Sequence, residues 1–194
     1  TVYVAGHRFV LATNLTWSNS HVAVRGGYAA TNDAGLPGER DLQRWYRALF
    51  SPSVQANIIP ASALAGYRER RVFIRGSEHV PPAVEAVPAF MEAFFAALAA
   101  EESAAVRAVL GHFVFVFIHP YSDGNGRIAR LLMNTMLASG GYNWTVIRVD
   151  RRAEYMAALE KASVHGDLTD FTRFVAEELR ASAKLKAAST PGKS

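Results

Sequence analysis

The sequence contains no cysteine among its 194 residues. This absence excludes a disulfide framework, a zinc site built from thiolates and a cysteine nucleophile, and it is typical of proteins in a reducing compartment. No apolar run reaches the roughly 18 residues that a membrane span needs, and no segment has the pattern of a signal peptide. We therefore expect no membrane partner and a cytoplasmic location, with a secreted effector as the alternative.

Long runs of basic residues are also absent, although the formal net charge is +4. Lysines and arginines are scattered along the chain, whereas a nucleic-acid-binding arm concentrates them in one segment. The charge balance is therefore compatible with an anionic ligand and does not favour nucleic acid as a partner. Because 50% of the residues are hydrophobic, a chain of this length can bury one core without disulfide or metal cross-links. The frequent alanine and arginine are typical of a GC-rich bacterial genome.

Hydrophobic periodicity divides the chain into three regions. Residues 1–38 are rich in Gly, Thr, Asn and Ser, and pieces such as VYVAG and HVAVRGG predict an irregular N-terminal region with short strands. Residues 39–181 repeat the spacing of helices and predict one mostly helical domain. Residues 182–194 are expected to form a frayed tail.

Six stretches of the middle region predict helices. The first begins at Glu39, and Pro52 either ends it or starts another helix. The others cover about 84–100, 103–118, 128–139, 151–162 and 168–179. Between them, residues 67–80 predict a small β-hairpin in which RVFI is a strand, Gly76 and Ser77 form the turn, and Pro81 and Pro82 end the second arm.

The stretch 103–118 has two possible interpretations. Its segment FVFVFI is typical of a buried strand, because it is β-branched and aromatic. The whole run is continuous, apolar and of helix length, however, and only Gly111 interrupts it. We therefore predict an all-α fold, a helical bundle around a buried central helix.

The segment HPYSDGNGRIAR, residues 119–130, carries the candidate chemistry. Its glycines, Gly124 and Gly126, allow the backbone to turn successive N–H groups toward one point at the start of a helix, where the helix dipole also favours an anion. Arg127 and Arg130 are neighbours on one helical face and can bind phosphate oxygens with paired hydrogen bonds. The segment therefore predicts a phosphate site.

Two further residues of the segment add reactive groups. Asp123 can hold Mg²⁺, which typically takes one or two carboxylates together with substrate phosphates. His119 is the nearby group suited to accepting a proton near neutral pH. Taken singly, a DG turn, a pair of arginines and a histidine beside an apolar helix are more often structural. Their occurrence together within twelve residues favours phosphoryl or nucleotidyl transfer to a hydroxyl.

The same segment resembles the signature of the Fic family, His-Pro-aromatic-x-Asp/Glu-Gly-Asn-Gly-Arg-x-x-Arg, and every defining position is filled. The resemblance continues upstream through AGYRERRVFIRGSEHVPP and downstream through RLLMNTMLASGGYNW and DRRAEYMAALEKA, so that it covers roughly residues 42–179. It implies a helical Fic fold with a β-hairpin flap, and transfer of AMP from ATP to a side-chain hydroxyl of another protein, with Mg²⁺ as cofactor.

The resemblance also assigns roles to individual residues. His119 would deprotonate the target Ser, Thr or Tyr, and Asp123 would ligate the Mg²⁺ that bridges the phosphates. The amides of Gly124, Asn125 and Gly126 would form an anion hole, with the Asn125 side chain helping to place the α-phosphate. Arg127 and Arg130 would hold the β- and γ-phosphates. Pro120 and Tyr121 would be structural, the ring anchoring the loop in the core.

Other expected roles lie outside the signature. The flap residues would cover the nucleotide and align an extended target segment by strand addition; they are Ile74, Arg75, Gly76, Ser77, Glu78 and His79. Tyr155 would pack against the adenosine or, in the alternative, be a core residue of its helix. Many relatives have asparagine where this chain has Ser163, which leaves open a Fic-fold transferase that uses UTP or CDP-choline. A catalytically silent binding or regulatory module is the remaining alternative.

One family feature is missing from the sequence. Many Fic enzymes carry an inhibitory segment, Ser/Thr-x-x-x-Glu-Gly/Asn, whose glutamate occupies the second arginine of the signature, here Arg130. No serine or threonine of the 194 residues has a glutamate four positions later. We expect that the chain is constitutively open, that a partner antitoxin supplies the glutamate, or that the segment precedes Thr1.

Overall fold

The computed structural model describes residues 2–4, 7–9 and 36–189, and the side chains of residues 36–184. Two short strands, β1 (Val2–Val4) and β2 (His7–Phe9), pair antiparallel with Val2 opposite Phe9. Six α-helices follow in the described part: α1 (Glu39–Gln55), α2 (Val87–Ala100), α3 (Ala104–Ile118), α4 (Asn125–Ser139), α5 (Arg152–His165) and α6 (Thr169–Ser189). The predicted helical class is therefore confirmed, and the predicted strand in HVAVRGG lies outside the described residues.

Helix α3 is the buried centre of the bundle. Its residues Phe113, Phe115 and Ile118 are fully buried, and α2, α4 and α6 all pack against it. Helix α4 packs tightly against Gly111, where a Cβ atom would lie 2.8 Å from Met136 Sδ. The apolar run therefore forms a helix, because neighbours on every side can bury it.

The ends of two helices differ from the predicted ones. Helix α1 continues through Pro52 to Gln55, and the Ala56 N–H donates to the Pro52 carbonyl at 3.0 Å. Proline lies in the last turns of this helix, where the loss of one hydrogen bond affects few residues. Helix α6 extends to Ser189, so the predicted tail is helical over residues 182–189. None of the helices in the described part combines the length and the apolar character that a bilayer span requires.

The predicted β-hairpin over residues 67–80 is not seen. Residues 71–74 form neither helix nor strand, and the Ser77 N–H donates to the Ile74 carbonyl at 3.1 Å to close a turn. No strand pairing forms within the described residues of this segment, because polar groups of its second arm bond to helices instead. We refer to residues 71–79 as the flap.

The buried histidine of α3 predicts how stability depends on pH. His112 is fully buried, and burial lowers its pKa to about 3. Below the unfolded-state pKa of about 6.5, the unfolded chain therefore binds a proton that the folded chain does not. Between pH 7 and pH 5, His112 should reduce the free energy of unfolding by about 2 kcal/mol.

Urea unfolding at both pH values tests this expectation. His112→Gln should lose clearly less stability between pH 7 and pH 5 than the unmodified chain. His165→Gln, at an exposed histidine of α5, serves as the matched control and should retain the full loss. An unchanged pH slope in His112→Gln would show that the buried ring does not titrate as described.

Candidate active site

The candidate site begins where α3 ends. His119 follows the last helical residue in a left-handed conformation, φ 53° and ψ 57°, and its N–H donates to the Phe115 carbonyl at 3.0 Å. Pro120 disfavours a right-handed helical conformation at the residue before it, so the helix stops there. A left-handed non-glycine residue costs of order 1 kcal/mol, and such conformations concentrate at functional sites.

The environment of His119 suits a proton acceptor. Its Nδ1 atom lies 3.2 Å from the Val116 carbonyl, so Nδ1 carries the proton and donates there. The Nε2 atom is then the basic one. Burial lowers the pKa of His119, and the hydrogen bond to Val116 opposes this effect only in part. The imidazole is therefore neutral at pH 7 and available as a base.

Arg68 holds this part of the loop, a role that no sequence pattern predicted. Its buried guanidinium donates to three carbonyl oxygens, those of His119 at 2.8 Å, Arg70 at 3.2 Å and Pro82 at 2.5 Å. The Arg68 N–H also donates to the Pro120 carbonyl at 2.8 Å. The start of the signature loop, residues 119–124, is thereby linked through Arg68 to backbone carbonyls on both sides of the flap.

Asn125 closes the signature loop through its side chain. Its Oδ1 accepts from the Tyr121 N–H at 2.9 Å, and its Nδ2 donates to the Tyr121 carbonyl at 2.7 Å. Asn125 is 2% exposed, and both polar ends of its side chain bond to the loop. The role of this side chain in placing the α-phosphate stays a prediction. The Tyr121 ring stacks on Tyr46 with centroids 3.9 Å apart, which confirms its predicted role as an anchor.

The first turn of α4 presents free amides. Gly124 has φ +79°, and a Cβ there would lie 2.8 Å from Phe50 Cε2, so only glycine fits. The N–H groups of Arg127 and Ile128 both donate to the Gly124 carbonyl at 3.0 Å. Those of Asn125 and Gly126 have no intrahelical acceptor, since they begin the helix. The helix dipole adds partial positive charge at these two amides, and this arrangement suits an anion.

The Gly124 amide is already engaged. It donates to Asp123 Oδ1 at 2.6 Å, while Oδ2 of the same carboxylate lies 3.2 Å from Arg127 Nη2. The Arg127 guanidinium also lies over the Phe50 ring, 4.9 Å from its centroid. The Asp123 side chain is 75% exposed, and exposed pairs of this spacing contribute only a few tenths of a kcal/mol, so a ligand can open this one at little cost.

Arg130 lies on the other side of the same turn. Its Nη1 is 3.4 Å from the position that a Cβ on Gly126 would occupy. Burial raises the pKa of Tyr155 on α5, and the nearby charge of Arg130 opposes this effect in part. The structure therefore brings the two arginines to the first turn of α4, with Arg127 toward α1 and Arg130 toward α5.

Tyr155 is a core residue. It is 4% exposed, and its ring lies beside Phe171 and Phe174 with centroids 6.3 and 5.8 Å away. This position agrees with the alternative interpretation, a core residue of its helix, and the contact with the adenosine stays a prediction. An amphipathic helix pattern could not distinguish the two interpretations.

The flap is fastened to helices α5 and α3 at its C-terminal end. Glu160 Oε2 accepts from Ser77 Oγ at 2.5 Å, and its Oε1 accepts from the Glu78 N–H at 2.6 Å. His79 Nε2 donates to the Phe117 carbonyl at 2.9 Å, and its ring stacks on that of Phe117. The role of Glu160 was not predicted, because a charged residue on α5 is typical of a solvated face.

The earlier flap residues are more open. Gly76 has φ +74° and forms the turn, Arg75 is exposed and Ile74 is half-buried. Phe73 is 73% exposed. The backbone groups of residues 71–73 make no backbone hydrogen bond to any other described residue. The predicted flap residues thus form one segment beside the signature loop, although not a hairpin.

A cleft opens beside the loop between α1 and residues 59–70. Its volume is about 460 Å³, and its walls include Tyr46, Phe50, Leu64 and Arg68, with Asp123 at the loop. This volume lies in the range of small-molecule sites. No group of three or more His, Cys, Asp or Glu residues that could hold a metal is found among the described residues. The single exposed carboxylate of Asp123 fits Mg²⁺ that arrives with a polyphosphate, and does not fit a resident structural metal.

Residues 37–137 match the Fic/DOC family, which is slightly more than half of the 194 residues. The chain belongs to the Fic/DOC family. The matched region contains the whole signature loop and the first turn of α4, so the predicted family is confirmed on the residues that form the candidate site.

Curated relatives agree with this assignment. The chain is 43% identical over 114 residues to the protein adenylyltransferase Fic of Nematostella vectensis, covering 57% of this chain and 26% of the relative. It is 38% identical over 115 residues to the protein adenylyltransferase Fic of Culex quinquefasciatus, covering 57% and 22%. The chain thus spans about a quarter of the length of these relatives.

Solved structures share the fold. A fragment of Fic-1 from C. elegans has a TM-score of 0.65 at 27% identity, covering 82% of this chain and 47% of that one. A Fic domain containing signaling protein from Bacteroides thetaiotaomicron has a TM-score of 0.66 at 27% identity, covering 77% and 62%. The Fic fold predicted from the sequence is confirmed by this likeness.

Proposed function

We propose that the chain is a protein adenylyltransferase, which transfers AMP from ATP to a Ser, Thr or Tyr hydroxyl of another protein and releases pyrophosphate. The observation that carries this proposal is the geometry of the signature loop. A neutral histidine, His119, follows the last residue of α3. Two free backbone amides and two arginines lie at the first turn of α4. The curated relatives that carry the name protein adenylyltransferase support the same reaction class.

In the proposed reaction, the target hydroxyl oxygen attacks the α-phosphorus of ATP. A new oxygen–phosphorus bond forms, the bond from the α-phosphorus to the oxygen bridging the β-phosphorus breaks, and pyrophosphate leaves. His119 Nε2 accepts the hydroxyl proton, since Nδ1 is occupied by the Val116 carbonyl. No group is oxidised or reduced in this step.

The first turn of α4 orients the phosphates. The Asn125 and Gly126 N–H groups both donate to an α-phosphate oxygen, and Arg127 and Arg130 bind the β- and γ-phosphates. To bind phosphate, Arg127 breaks its ion pair with Asp123. The Asp123 carboxylate is then available to Mg²⁺. The ion, when bound with ATP, neutralises charge on the departing pyrophosphate.

The flap aligns the target in this proposal. Unpaired backbone groups of residues 71–73 are available to an extended target segment, which would bind as an added strand. Residues 74–79 would cover the nucleotide, and hydrogen bonds to Glu160 and to the Phe117 carbonyl hold them in place. The target hydroxyl is thereby brought toward His119.

A panel of labelled donors tests the proposal and its alternatives. The chain is incubated with Mg²⁺ and ATP, UTP, GTP or CDP-choline, and self-labelling is measured by intact mass. We expect an added AMP with ATP as the preferred donor. Preference for UTP or CDP-choline would indicate a Fic-fold transferase that uses a different donor. The absence of both labelling and nucleotide binding would favour a catalytically silent module.

Replacing Asp123 by alanine should weaken Mg²⁺-dependent nucleotide binding, because the carboxylate is the expected protein ligand of the ion. Titration calorimetry of ATP at rising Mg²⁺ measures the effect without relying on turnover. We expect the Mg²⁺ dependence of the affinity to become much shallower in Asp123→Ala. Asp150→Ala, at an exposed aspartate near the start of α5, should behave as the unmodified chain does. If the Asp123 variant had the same Mg²⁺ dependence as the unmodified chain, Asp123 would not be a metal ligand and would only form the turn.

A further inference from the structure

The exposure of the flap's side chains alternates over five successive residues. Arg71, Phe73 and Arg75 are exposed, whereas Val72 and Ile74 between them are half-buried. A period of two is the pattern of a strand, in which successive side chains point to opposite faces. One set of these side chains therefore faces the protein and the other faces solvent. We refer to Arg71, Phe73 and Arg75 as the outer face of the flap.

The aromatic ring at the centre of the outer face is left in water. Phe73 is 73% exposed, and the Arg71 guanidinium lies 5.9 Å from the ring centroid. A single exposed hydrophobic side chain is common on protein surfaces. Phe73 differs because it belongs to residues 71–73, whose backbone groups make no backbone hydrogen bond to another described residue. An exposed ring beside free backbone groups suits a bound peptide segment.

The two arginines of the outer face also lack carboxylate partners. Among the described residues, neither Arg71 nor Arg75 forms an ion pair. The other exposed charged side chain of the flap, that of Glu78, lies toward its C-terminal end. Just before the flap, the formal charges of Glu69 and Arg70 cancel. The outer face therefore presents two positive charges, and guanidinium groups favour carboxylates, which accept paired hydrogen bonds from them.

A strand added along the flap would meet the outer face with one of its own faces. Side chains that lie opposite each other on paired strands share a face, and so do side chains two residues apart. A target residue opposite Phe73 is therefore flanked, two positions away on each side, by residues that approach Arg71 and Arg75. The strand rise of about 3.3 Å per residue separates these two flanking positions by roughly 13 Å, so that each arginine meets a carboxylate of its own.

We infer that the outer face of the flap selects target segments in which an apolar residue is flanked, two positions away on each side, by aspartate or glutamate. The apolar side chain packs on the Phe73 ring, and the two carboxylates pair with Arg71 and Arg75. This inference rests on the proposed function, because that proposal places the target segment along the flap. It names the class of target, an extended acidic segment, and it uses no residue of the signature.

Three fluorescent peptides test this selection on the unmodified chain. They share Gly- and Ser-containing ends and differ in the core, which is Glu-Ser-Leu-Ser-Glu, Gln-Ser-Leu-Ser-Gln or Lys-Ser-Leu-Ser-Lys, and fluorescence anisotropy measures binding without nucleotide. An exposed ion pair changes an affinity by about 1.4- to 5-fold, so the Glu peptide should bind roughly three- to tenfold more tightly than the Gln peptide. The Lys peptide should bind more weakly than both. Raising the salt to about 0.5 M NaCl should narrow these differences, because it screens the charges.

Paired substitutions separate the outer face from the overall charge of the chain. Arg71→Gln with Arg75→Gln should remove the preference for the Glu peptide, and Arg71→Glu with Arg75→Glu should reverse it in favour of the Lys peptide. Arg40→Gln with Arg173→Gln removes two charges from exposed positions of α1 and α6 and is the matched control, which should retain the full preference. Phe73→Ser should weaken the binding of all three peptides by a similar factor, because each presents a leucine to the ring. Circular dichroism establishes that each variant is folded.

Single-stranded DNA is the competing ligand, because arginines and an exposed ring also suit phosphates and bases. A fluorescent oligothymidine should bind the chain with Arg71→Gln and Arg75→Gln no differently from the unmodified chain. Loss of oligothymidine binding in that variant, together with peptides that bind equally, would assign the outer face to nucleic acid and overturn the inference.

Three other results would overturn the inference. They are equal affinities of the unmodified chain for the Glu and Lys peptides, a preference that persists after Arg71→Gln with Arg75→Gln, and the absence of binding by every peptide. None of them depends on AMP transfer, because the titrations contain no nucleotide. A chain that labels protein with AMP but binds the peptides equally would keep the proposed function and lose this inference. A chain that prefers the Glu peptide but transfers no AMP would keep the selective surface and lose the proposed function.

Discussion

Replacement of His119 by alanine should leave ATP binding nearly unchanged and reduce AMP transfer by about 10² to 10⁴-fold, which is the typical contribution of a general base. The reason is that, in the proposed reaction, Nε2 accepts the target's proton, while the first turn of α4 and its arginines bind the phosphates. Calorimetry measures the ATP affinity, and label incorporation into protein measures transfer.

A second histidine controls for this variant. His165→Ala removes an exposed histidine at the end of α5 and should transfer AMP at the unmodified rate. Transfer by His119→Ala at a rate near that of the unmodified chain would mean that another group takes the proton. Loss of ATP binding in His119→Ala would mean that the histidine organises the loop instead.

Arg130 should give the second large effect. The chain should bind ATP more tightly than ADP and should be active without an activating mutation. The reason is that no serine or threonine of the 194 residues has a glutamate four positions later, as the inhibitory pattern requires. A carboxylate and a γ-phosphate cannot occupy one guanidinium fork at full strength. A charge-assisted hydrogen bond contributes roughly 1.5–3 kcal/mol, so ATP should bind about ten- to a hundredfold more tightly than ADP.

Arg130→Ala should erase most of this difference and spare the contacts that ADP also makes. Arg173→Ala, at an exposed arginine of α6 that pairs with Asp170, should preserve it. Calorimetry of ATP and ADP on the three proteins gives the comparison. Equal affinities in the unmodified chain would show that Arg130 is already engaged by another group.

Features encoded in neighbouring residues could be predicted from the sequence. Helix α3 followed from its continuous apolar run, and the order of base, carboxylate, glycines and arginines in residues 119–130 followed from a single segment. The structure brings these groups together because Pro120 ends one helix and Gly124 starts the next. Local rules of helix ends are enough to explain this arrangement.

Features that depend on distant residues could not be predicted. Arg68 bonds to a carbonyl 51 residues away, and Ser77 bonds to Glu160 across 83 residues. Each of these residues alone is typical of a charged or polar surface. The hairpin was predicted from alternation and a turn signal, and it is not seen because the second arm bonds to α3 and α5 in preference to the first arm.

The position of the transferred label tests AMP transfer most directly. The chain is incubated with Mg²⁺ and ATP labelled on the α-phosphate, and in parallel with ATP labelled on the γ-phosphate, and protein and free products are separated. Attack at the α-phosphorus predicts that the α-label becomes covalently bound to protein while the γ-label appears in pyrophosphate. The γ-label on protein, or α-label that remains entirely in free nucleotide, would contradict it.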